Sequence, residues 1–378
     1  MKLLHLCTDL RLGGVQRFVV DLCQELGRRH EVTLATHWSE AMDEVAPANG
    51  EKPTYRRVSF GKTSGGFSAS LLARINAFLW RECPAVVHTH LFSLNYAAPS
   101  ILLGIPWRTR FVHTVHSMAD KECAGSYRLR RFLFRHRTSP VAISSRVKQS
   151  LNDFYRGLPA PIIHNGLALD AKASEPELAE RIRQFKNKGN RRVFLHVGHL
   201  SQVKNQLLLN RVAAHLQGEG FDFAVALVGR EDDADYAKQF FREQCGCVHY
   251  LGPCRHAQAL LREADFFTLS SVYEGMPISL LEALACGCVP VCVPAGGIPD
   301  GCIHHQNGLL APENSEEGLY QVMKEALTLS DEQFRTYQAA SRALFEERFS
   351  IAQCASLYEQ LYQGNHRVAG KPDLPPNG

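Results

Sequence analysis

Two glutamates, Glu274 and Glu282, stand eight residues apart in YEGMPISLLEALACGCVP (residues 273–290), with Pro277 between them and Cys286-Gly287-Cys288 just beyond. Three chemistries fit such a string: a carboxylate pair for acid–base work, a thiolate metal site, or a helix entry that binds an anion. The cysteines lack the C-x2-C or paired Cys/His spacing of a structural zinc site, as does Cys245-Gly246-Cys247, so no metal is expected at either. DFFTLSS reads as a strand, residues 273–276 as a loop, and Pro277 as the first helical residue, where its missing N–H costs nothing. Ile278, Leu281, Leu284 and Ala285 then share an apolar face, and Gly287 ends the helix. Glu274 is therefore placed in the loop and Glu282 in the second turn, with the unpaired N–H groups of the helix start between them. A carboxylate beside an anion-binding helix start suits a phosphorylated sugar; a capping or surface glutamate is the plain alternative for either residue taken singly.

Three other clusters invite chemistry. Gly13 and Gly14 lie between LLHLC (residues 3–7) and a helical stripe of Val15, Phe18, Val19, Leu22 and Leu26, where free N–H groups and the helix dipole favour an anion. The G-x-G-x-x-G spacing is absent, so a tight turn and a diphosphate seat both fit. In HVGHLSQVKNQ (residues 196–206), Gly198, His199 and Lys204 follow another strand. A lysine on a strand-to-helix loop at the carboxyl edge of a parallel sheet is placed to meet a phosphate; a solvated surface lysine is the bland counterpart. His88 and His90 share a strand face and could converge on a metal, but His90 and His116 end their strands, where open α/β sheets form clefts, and substrate contact is the better use. Asp233-Ala234-Asp235 reads as a polar loop with no apolar strand leading into it, not as a metal-chelating pair.

The elements that must carry these residues alternate. Apolar strands at residues 3–7, 31–36, 85–90, 110–116 and 140–144 are separated by helical patterns such as residues 70–83, and IIHNGL closes the series near residue 167. Residues 168–190 are charged and read as a surface connection, after which strands recur at 192–198, 223–229, 248–252, 265–270 and 289–293. Such alternation predicts an α/β protein of two Rossmann-like domains facing across a cleft, residues 1–168 and 169–345. Residues 315–363 carry three helical patterns, and the tail 364–378, with three prolines, is expected to be disordered.

A chain of 378 residues, 45% hydrophobic and 21% charged, can fill two such cores, and a net charge of +4 gives no argument for nucleic acid. MKLLHLCTDL has too short an apolar run for a secretory leader, and no stretch approaches the roughly 18 apolar residues of a spanning helix. The expected location is the cytoplasm, with any membrane contact peripheral at its inner face, and the twelve cysteines serve mostly as core residues of a reducing compartment.

The spacing E-x7-E in EGMPISLLE, followed by EALACGCVPV, PAGGIPD and HHQNGLLAP, resembles the C-terminal signature of the family 4 retaining glycosyltransferases, which have the GT-B fold. LGGVQRFVVDL is similar to that family's first glycine loop, VHTVHS to its histidine after a mid-domain strand, IIHNGL to its interdomain segment, and VGHLSQVKN to its basic G-R-x-x-x-x-K loop. The matches run in order from residue 1 to about 360. The resemblance implies a nucleotide-sugar donor whose diphosphate meets Gly13, Gly14, His199 and Lys204, and whose ribose meets Glu282. The transferred hexose would be held by Glu274 and the backbone of Gly275, Met276, Pro277 and Ile278, with His116 touching it from the other domain; His116, Lys204 and Glu274 are thus the catalytic set. It further implies retention by a front-face route that needs no metal, no enzymic nucleophile and no cofactor, the nucleotide-sugar being a co-substrate. Departures from the family pattern are His199 in place of arginine, Pro277 in place of a frequent glycine, and Asp300 in place of a glutamate.

By the same resemblance the C-terminal helices at about residues 346–363 pack back on the first domain, and the acceptor is a glycan or lipid-linked saccharide in cell-surface polysaccharide biosynthesis. SYRLRRFLFRHR (residues 126–137) mixes five arginines with apolar residues and fits either an anionic membrane surface or an ordinary helix with its arginines in water. Two competing readings are a sugar-nucleotide epimerase of the same plan and a non-catalytic sugar-nucleotide-binding protein.

Overall fold

A run of β-branched and aliphatic residues bounded by glycines can be buried on both faces, and such runs build parallel sheets covered by helices. The computed structural model describes residues 1–11, 13–38, 44–104, 107–123, 125–170, 172–186 and 191–364. The chain divides into two units, Met1–Ala168 with the segment from Ser350 onward, and Leu169–Phe349.

The first unit contains β1 (Lys2–Cys7), β2 (Glu31–Trp38), β3 (Arg56–Lys62), β4 (Val86–His90), β5 (Arg110–Val115) and β6 (Ser139–Ala142), all parallel, in the order β3-β2-β1-β4-β5-β6. Its helices are α1 (Gly14–Gly27), α2 (Ala69–Glu82), α3 (Ser93–Leu103), α4 (Ala119–Cys123), α5 (Tyr127–His136) and α6 (Ser145–Phe154). β4 is buried at every residue, as a central strand must be, whereas β3 at the edge opens with consecutive Arg56 and Arg57, buries only Phe60 and carried no clear signal in the sequence.

The second unit opens with α7 (Pro176–Lys186), which buries Ala179 and Ile182, so the charged connection contains an amphipathic helix. Then follow β7 (Arg192–Val197), α8 (Gln206–Gly218), β8 (Phe223–Val228), α9 (Ala234–Glu243), β9 (Val248–Tyr250), α10 (Ala257–Leu261), β10 (Phe266–Leu269), α11 (Ile278–Cys286), β11 (Val289–Cys292), α12 (Ile298–Gly301), β12 (Leu309–Leu310), α13 (Glu316–Thr328) and α14 (Asp331–Arg348). The sheet order is β12-β11-β10-β7-β8-β9. Asp233 is the N-cap of α9, its carboxylate accepting from the Tyr236 N–H, a few residues after β8, so a strand does lead into the Asp233 loop.

α14 continues unbroken to Arg348, and only then does α15 (Ile351–Gln363) join the first unit, Ile351 N–H donating to Leu167 O. The changeover therefore falls at residues 349–350 rather than 346. Gly364 caps α15 with φ 85°, and residues 365–378 of the expected disordered tail lie outside the described residues. Among the described residues no helix is long and apolar enough to cross a membrane.

Candidate functional site

In each sheet the chain starts at a central strand and later returns to that strand's other side, at β1/β4 and at β7/β10. The carboxyl ends of such a strand pair open a crevice where ligands of α/β sheets bind. In the second unit the loops leaving β7 and β10 are the ones that carry Lys204 and Glu274.

These two loops are tied together. Val272 N–H donates to Val203 O at 2.8 Å, and Ser270 Oγ to Lys204 O at 3.0 Å. Lys204 Nζ lies 2.6 Å from Glu274 Oε1, which also accepts from Ser271 Oγ at 2.7 Å. A Cβ on Gly198 would stand 3.3 Å from the Lys204 stem, so the missing side chain lets the lysine cross the strand end. Gln206 clamps the same loop, its Nε2 donating to His199 O at 2.8 Å. Gly229 is packed still tighter, its Cβ position only 2.1 Å from Gly198 O.

The α11 entry differs from expectation by one residue. Pro277 is the N-cap, with φ −71° and ψ 123°, and its carbonyl accepts from Leu280 N–H at 3.1 Å; proline's fixed φ suits either position, but the extended ψ puts Ile278 first in the helix. The N–H groups of Ile278 and Ser279 lack intrahelical acceptors. Met276 is buried under the loop, Gly275 is half-buried, and Glu282 lies half-buried on α11, where its charge helps push the Cys254 thiol up behind the main effect of burial. The helix stops at Gly287 with φ 70°, a conformation glycine adopts at no cost. Sequence reasoning assigned no role to Ser271, and PAGGIPD, the loop after β11, entered only as part of the family signature, with no role for its glycines. Gly297 N–H donates to Glu274 O at 3.3 Å, and Gly296, at φ 57°, would drive a Cβ to 1.7 Å from that oxygen. The adjacent Gly296 and Gly297, in the loop a few residues beyond buried β11, were the available signal.

His199 has its ring in a mixed field: burial lowers its pKa first, Asp232 opposes, and Arg230 and Lys204 lower it further. Its Nδ1 is 3.7 Å from Asp232 Oδ2. The imidazole is thus held below its usual titration range and is neutral at pH 7.

In the first unit Gly13 is the extended N-cap of α1 (φ −176°, ψ 159°), so Gly14 begins the helix with its N–H free of an intrahelical acceptor. Asp9, not singled out in the sequence, accepts from Arg11 N–H at 3.1 Å and Gln16 Nε2 at 3.3 Å across this loop. His116 follows β5, and its N–H donates to Glu122 Oε2 at 2.8 Å. Glu122 Oε1 takes His113 Nε2 at 2.8 Å and Arg130 Nη1 at 3.3 Å. Burial pushes the Glu122 carboxyl up, but the bond from His113 and the surrounding positive charge outweigh it and hold the group below the usual carboxylate range. Arg130 is 1% exposed, so this arginine of α5 faces neither water nor lipid; Leu133 and Phe134 are buried beside it, while Arg128, Phe132 and Arg135 are exposed.

His90 is fully buried rather than open to a ligand. Its Nδ1 meets His116 Nε2 at 3.1 Å and its Nε2 meets His5 Nδ1 at 3.3 Å. Burial drives His116 down to about 4 and His5 to about 3, so the chain of three imidazoles is neutral. His116 Nδ1 is buried without a partner in the structure and can donate to or accept from a hydroxyl, whichever tautomer the chain selects. His5, His88 and His90 bring one ring nitrogen each within 4.8 Å of one another, as do His304, His305 and Glu325 at the surface with a ligand atom each. His88 already bonds Tyr362 OH through Nδ1 at 2.6 Å and Thr114 Oγ1 through Nε2 at 2.7 Å, so a metal taking either nitrogen would displace one of these bonds.

The family described as "Glycosyltransferase Family 4" matches residues 12–171, and "Glycosyl transferases group 1" matches residues 178–343. EpsF of Bacillus subtilis, named as a glycosyltransferase, is 30% identical over 323 residues, covering 76% of this chain and 77% of that protein. The N,N'-diacetylbacillosaminyl-diphospho-undecaprenol alpha-1,3-N-acetylgalactosaminyltransferase of Campylobacter jejuni is 33% identical over 138 residues, 36% of each chain. The crystal structure of Anabaena HepE with UDP-glucose superposes with a TM-score of 0.77 at 19% identity, covering 96% of this chain and all of that one.

Proposed function

The chain belongs to the group 1 glycosyltransferases of family 4, with the GT-B fold, and on that premise we propose that it moves a hexosyl unit from a nucleotide-sugar to a glycan or lipid-linked saccharide with retention of anomeric configuration. The observation that carries this reading is the Lys204–Glu274–Ser271 cluster at the β7/β10 crevice, beside the open N–H groups of α11. The lysine supplies a fixed positive charge for a departing diphosphate, and the helix start supplies oriented N–H dipoles.

In the proposed cycle the bond between the sugar's anomeric carbon and the diphosphate breaks, and Lys204 offsets the charge left on the phosphate. The acceptor hydroxyl adds to the same face and gives its proton to that phosphate. Glu274 holds hydroxyls of the hexose, Glu282 those of the ribose, and His116 a sugar hydroxyl through Nδ1, while Gly13 and Gly14 offer N–H groups to the diphosphate. Neither glutamate moves a proton, and the scheme calls for no metal ion and no cofactor. The undecaprenol-linked substrate in the Campylobacter relative's name and the UDP-glucose bound to HepE support a nucleotide-sugar donor and a lipid-linked acceptor. The exposed Arg128, Phe132 and Arg135 of α5 support contact with an anionic membrane surface on the cytoplasmic side.

The test is transfer and donor hydrolysis with a panel of radiolabelled UDP-, GDP-, ADP- and dTDP-sugars, with and without chelator. Activity with one donor, retained in chelator, and nucleotide affinity weakened roughly 10- to 100-fold by Glu282→Ala would support the reading. No turnover of any donor, together with unchanged nucleotide binding by Glu282→Ala, would remove its basis. Conversion of the donor without an acceptor would point to epimerisation instead.

A further inference from the structure

The Cys245-Gly246-Cys247 motif takes no part in the donor site, yet its two sulfurs lie 3.5 Å apart. The same spacing at Cys286 and Cys288 gives nothing comparable: Cys286 Sγ points to Gln258 O at 3.6 Å and Cys288 Sγ to Ala264 O at 3.9 Å. The backbone explains the contrast. Residues 245–248 form a β-turn closed by Val248 N–H donating to Cys245 O at 3.2 Å, which brings the two side chains together. Residues 286–288 instead leave a helix through the left-handed Gly287 and enter β11.

The turn is anchored from below. Cys245 N–H donates to Asn210 Oδ1 at 2.9 Å, Asn210 Nδ2 donates to Glu243 O at 2.7 Å, and Asn210 itself is buried on α8. Gln244 Nε2 adds a bond to Val248 O at 2.7 Å. Cys245 is half-buried and Cys247 buried, so the pair has an outer and an inner thiol. A hydrogen bond from Cys247 pulls the Cys245 thiol down to about 7, and the same bond with burial pushes Cys247 up. A Cβ at Gly246 would meet only the Gln217 amide at 3.8 Å, so the residue between the cysteines has room to adjust.

We propose that Cys245 and Cys247 form a dithiol modification site that exchanges with low-molecular-weight disulfides, of which glutathione disulfide is the probe, and closes to an intramolecular disulfide. The Cys245 thiolate attacks one sulfur of the probe, forming a mixed disulfide and releasing one glutathione thiolate. Cys247 then loses its proton and its sulfur attacks Cys245 Sγ, expelling the second glutathione thiolate. Both leaving groups take up protons; the protein loses two electrons and the small disulfide gains them as two thiols. The sulfurs need to close to a bond of about 2.05 Å, a shift of roughly 1.5 Å that side-chain rotation supplies.

Cys83, a free and exposed cysteine, is an internal standard. The fully reduced chain is treated with glutathione disulfide and mapped by peptide mass spectrometry. The peptide holding Cys245 and Cys247 is expected to lose two hydrogens and carry no glutathione, while Cys83 carries the adduct. Cys247→Ser should trap glutathione on Cys245, and Cys245→Ser should abolish reaction at the motif. The depressed pKa of Cys245 keeps part of its thiol ionised below neutral pH, so closure at the motif is expected to persist at about pH 6. A motif that stays reduced while Cys83 reacts, or that keeps a stable glutathione adduct in the unsubstituted chain, overturns the proposal. The unsubstituted chain alone decides this, so poor folding of either variant leaves the answer intact.

Discussion

Lys204 Nζ and Glu274 Oε1 are 2.6 Å apart, so the cation assigned to the diphosphate and the carboxylate assigned to the hexose are each other's partners. A bound donor must share or divide that pair, which gives the two substitutions different signatures. Lys204→Met should cut kcat/KM by about 10²–10³, through loss of charge opposite the leaving group. Glu274→Gln should lower kcat while nucleotide affinity holds or improves, because Lys204 is released. Initial rates with nucleotide calorimetry separate them; equal loss of nucleotide affinity in both would contradict the division of roles.

Gly296 controls Glu274 from outside the E-x7-E motif. A methyl at its Cβ position would overlap the Glu274 carbonyl at 1.7 Å, on a backbone already at φ 57°. Gly296→Ala should therefore displace the 271–277 loop, costing about 1–3 kcal/mol locally and raising the donor KM. Melting curves and donor titration check this, with a fold largely retained and a KM that moves.

His199 answers to pH. Its folded pKa is depressed, so it gains charge only below the ordinary imidazole range, and donor affinity should rise as pH falls through that lower region. His199→Arg should lower the donor KM at pH 7 roughly threefold and remove the acid-side gain. A donor KM independent of pH in the parent chain would count against a role for His199 at the diphosphate.

The buried histidines tie stability to pH in the opposite sense. His5, His88, His90 and His116 all have folded pKa values lowered chiefly by burial. Above about pH 6.5 both states are neutral there and the groups contribute no pH dependence; below it the unfolded chain binds protons that the folded chain refuses. Each such histidine then removes about 1.4 kcal/mol per pH unit until its folded pKa is reached. Urea unfolding between pH 7 and pH 5 should show falling stability with net proton uptake, to which the buried His37, His113 and His196 also contribute, and replacing His5 and His90 by glutamine should reduce that uptake by about two protons.

The two alternating arrays and the α11 segment were legible because burial on both faces and a left-handed glycine leave local marks: the strand runs around residues 192–198 and 223–229, Gly287 after the helix. Contacts between distant loops leave none. Lys204 and Glu274 are 70 residues apart, His5 and His90 are 85 apart, and nothing near any of them announces its partner. Arg130 illustrates the limit best. Among five arginines in a basic and apolar stretch, it alone is closed in by Glu122, Asn95 Oδ1 and Leu91 O, which come from other elements. β3 and β12 were missed for another reason, the first being an edge strand rich in arginine and the second only two residues long.

The return of α15 to the first sheet also has a consequence for synthesis. Tyr362 OH bonds His88 and Tyr358 OH bonds Thr114, so the floor of the histidine cluster is laid by residues made 244 to 274 positions after their partners. On the ribosome, β1 to β6 emerge first and wait while everything from Leu169 to Phe349 is translated, about 10–40 s at ordinary rates. During that interval the face that α15 will cover stays open, a surface for chaperones to hold, and the first unit of this transferase is finished last.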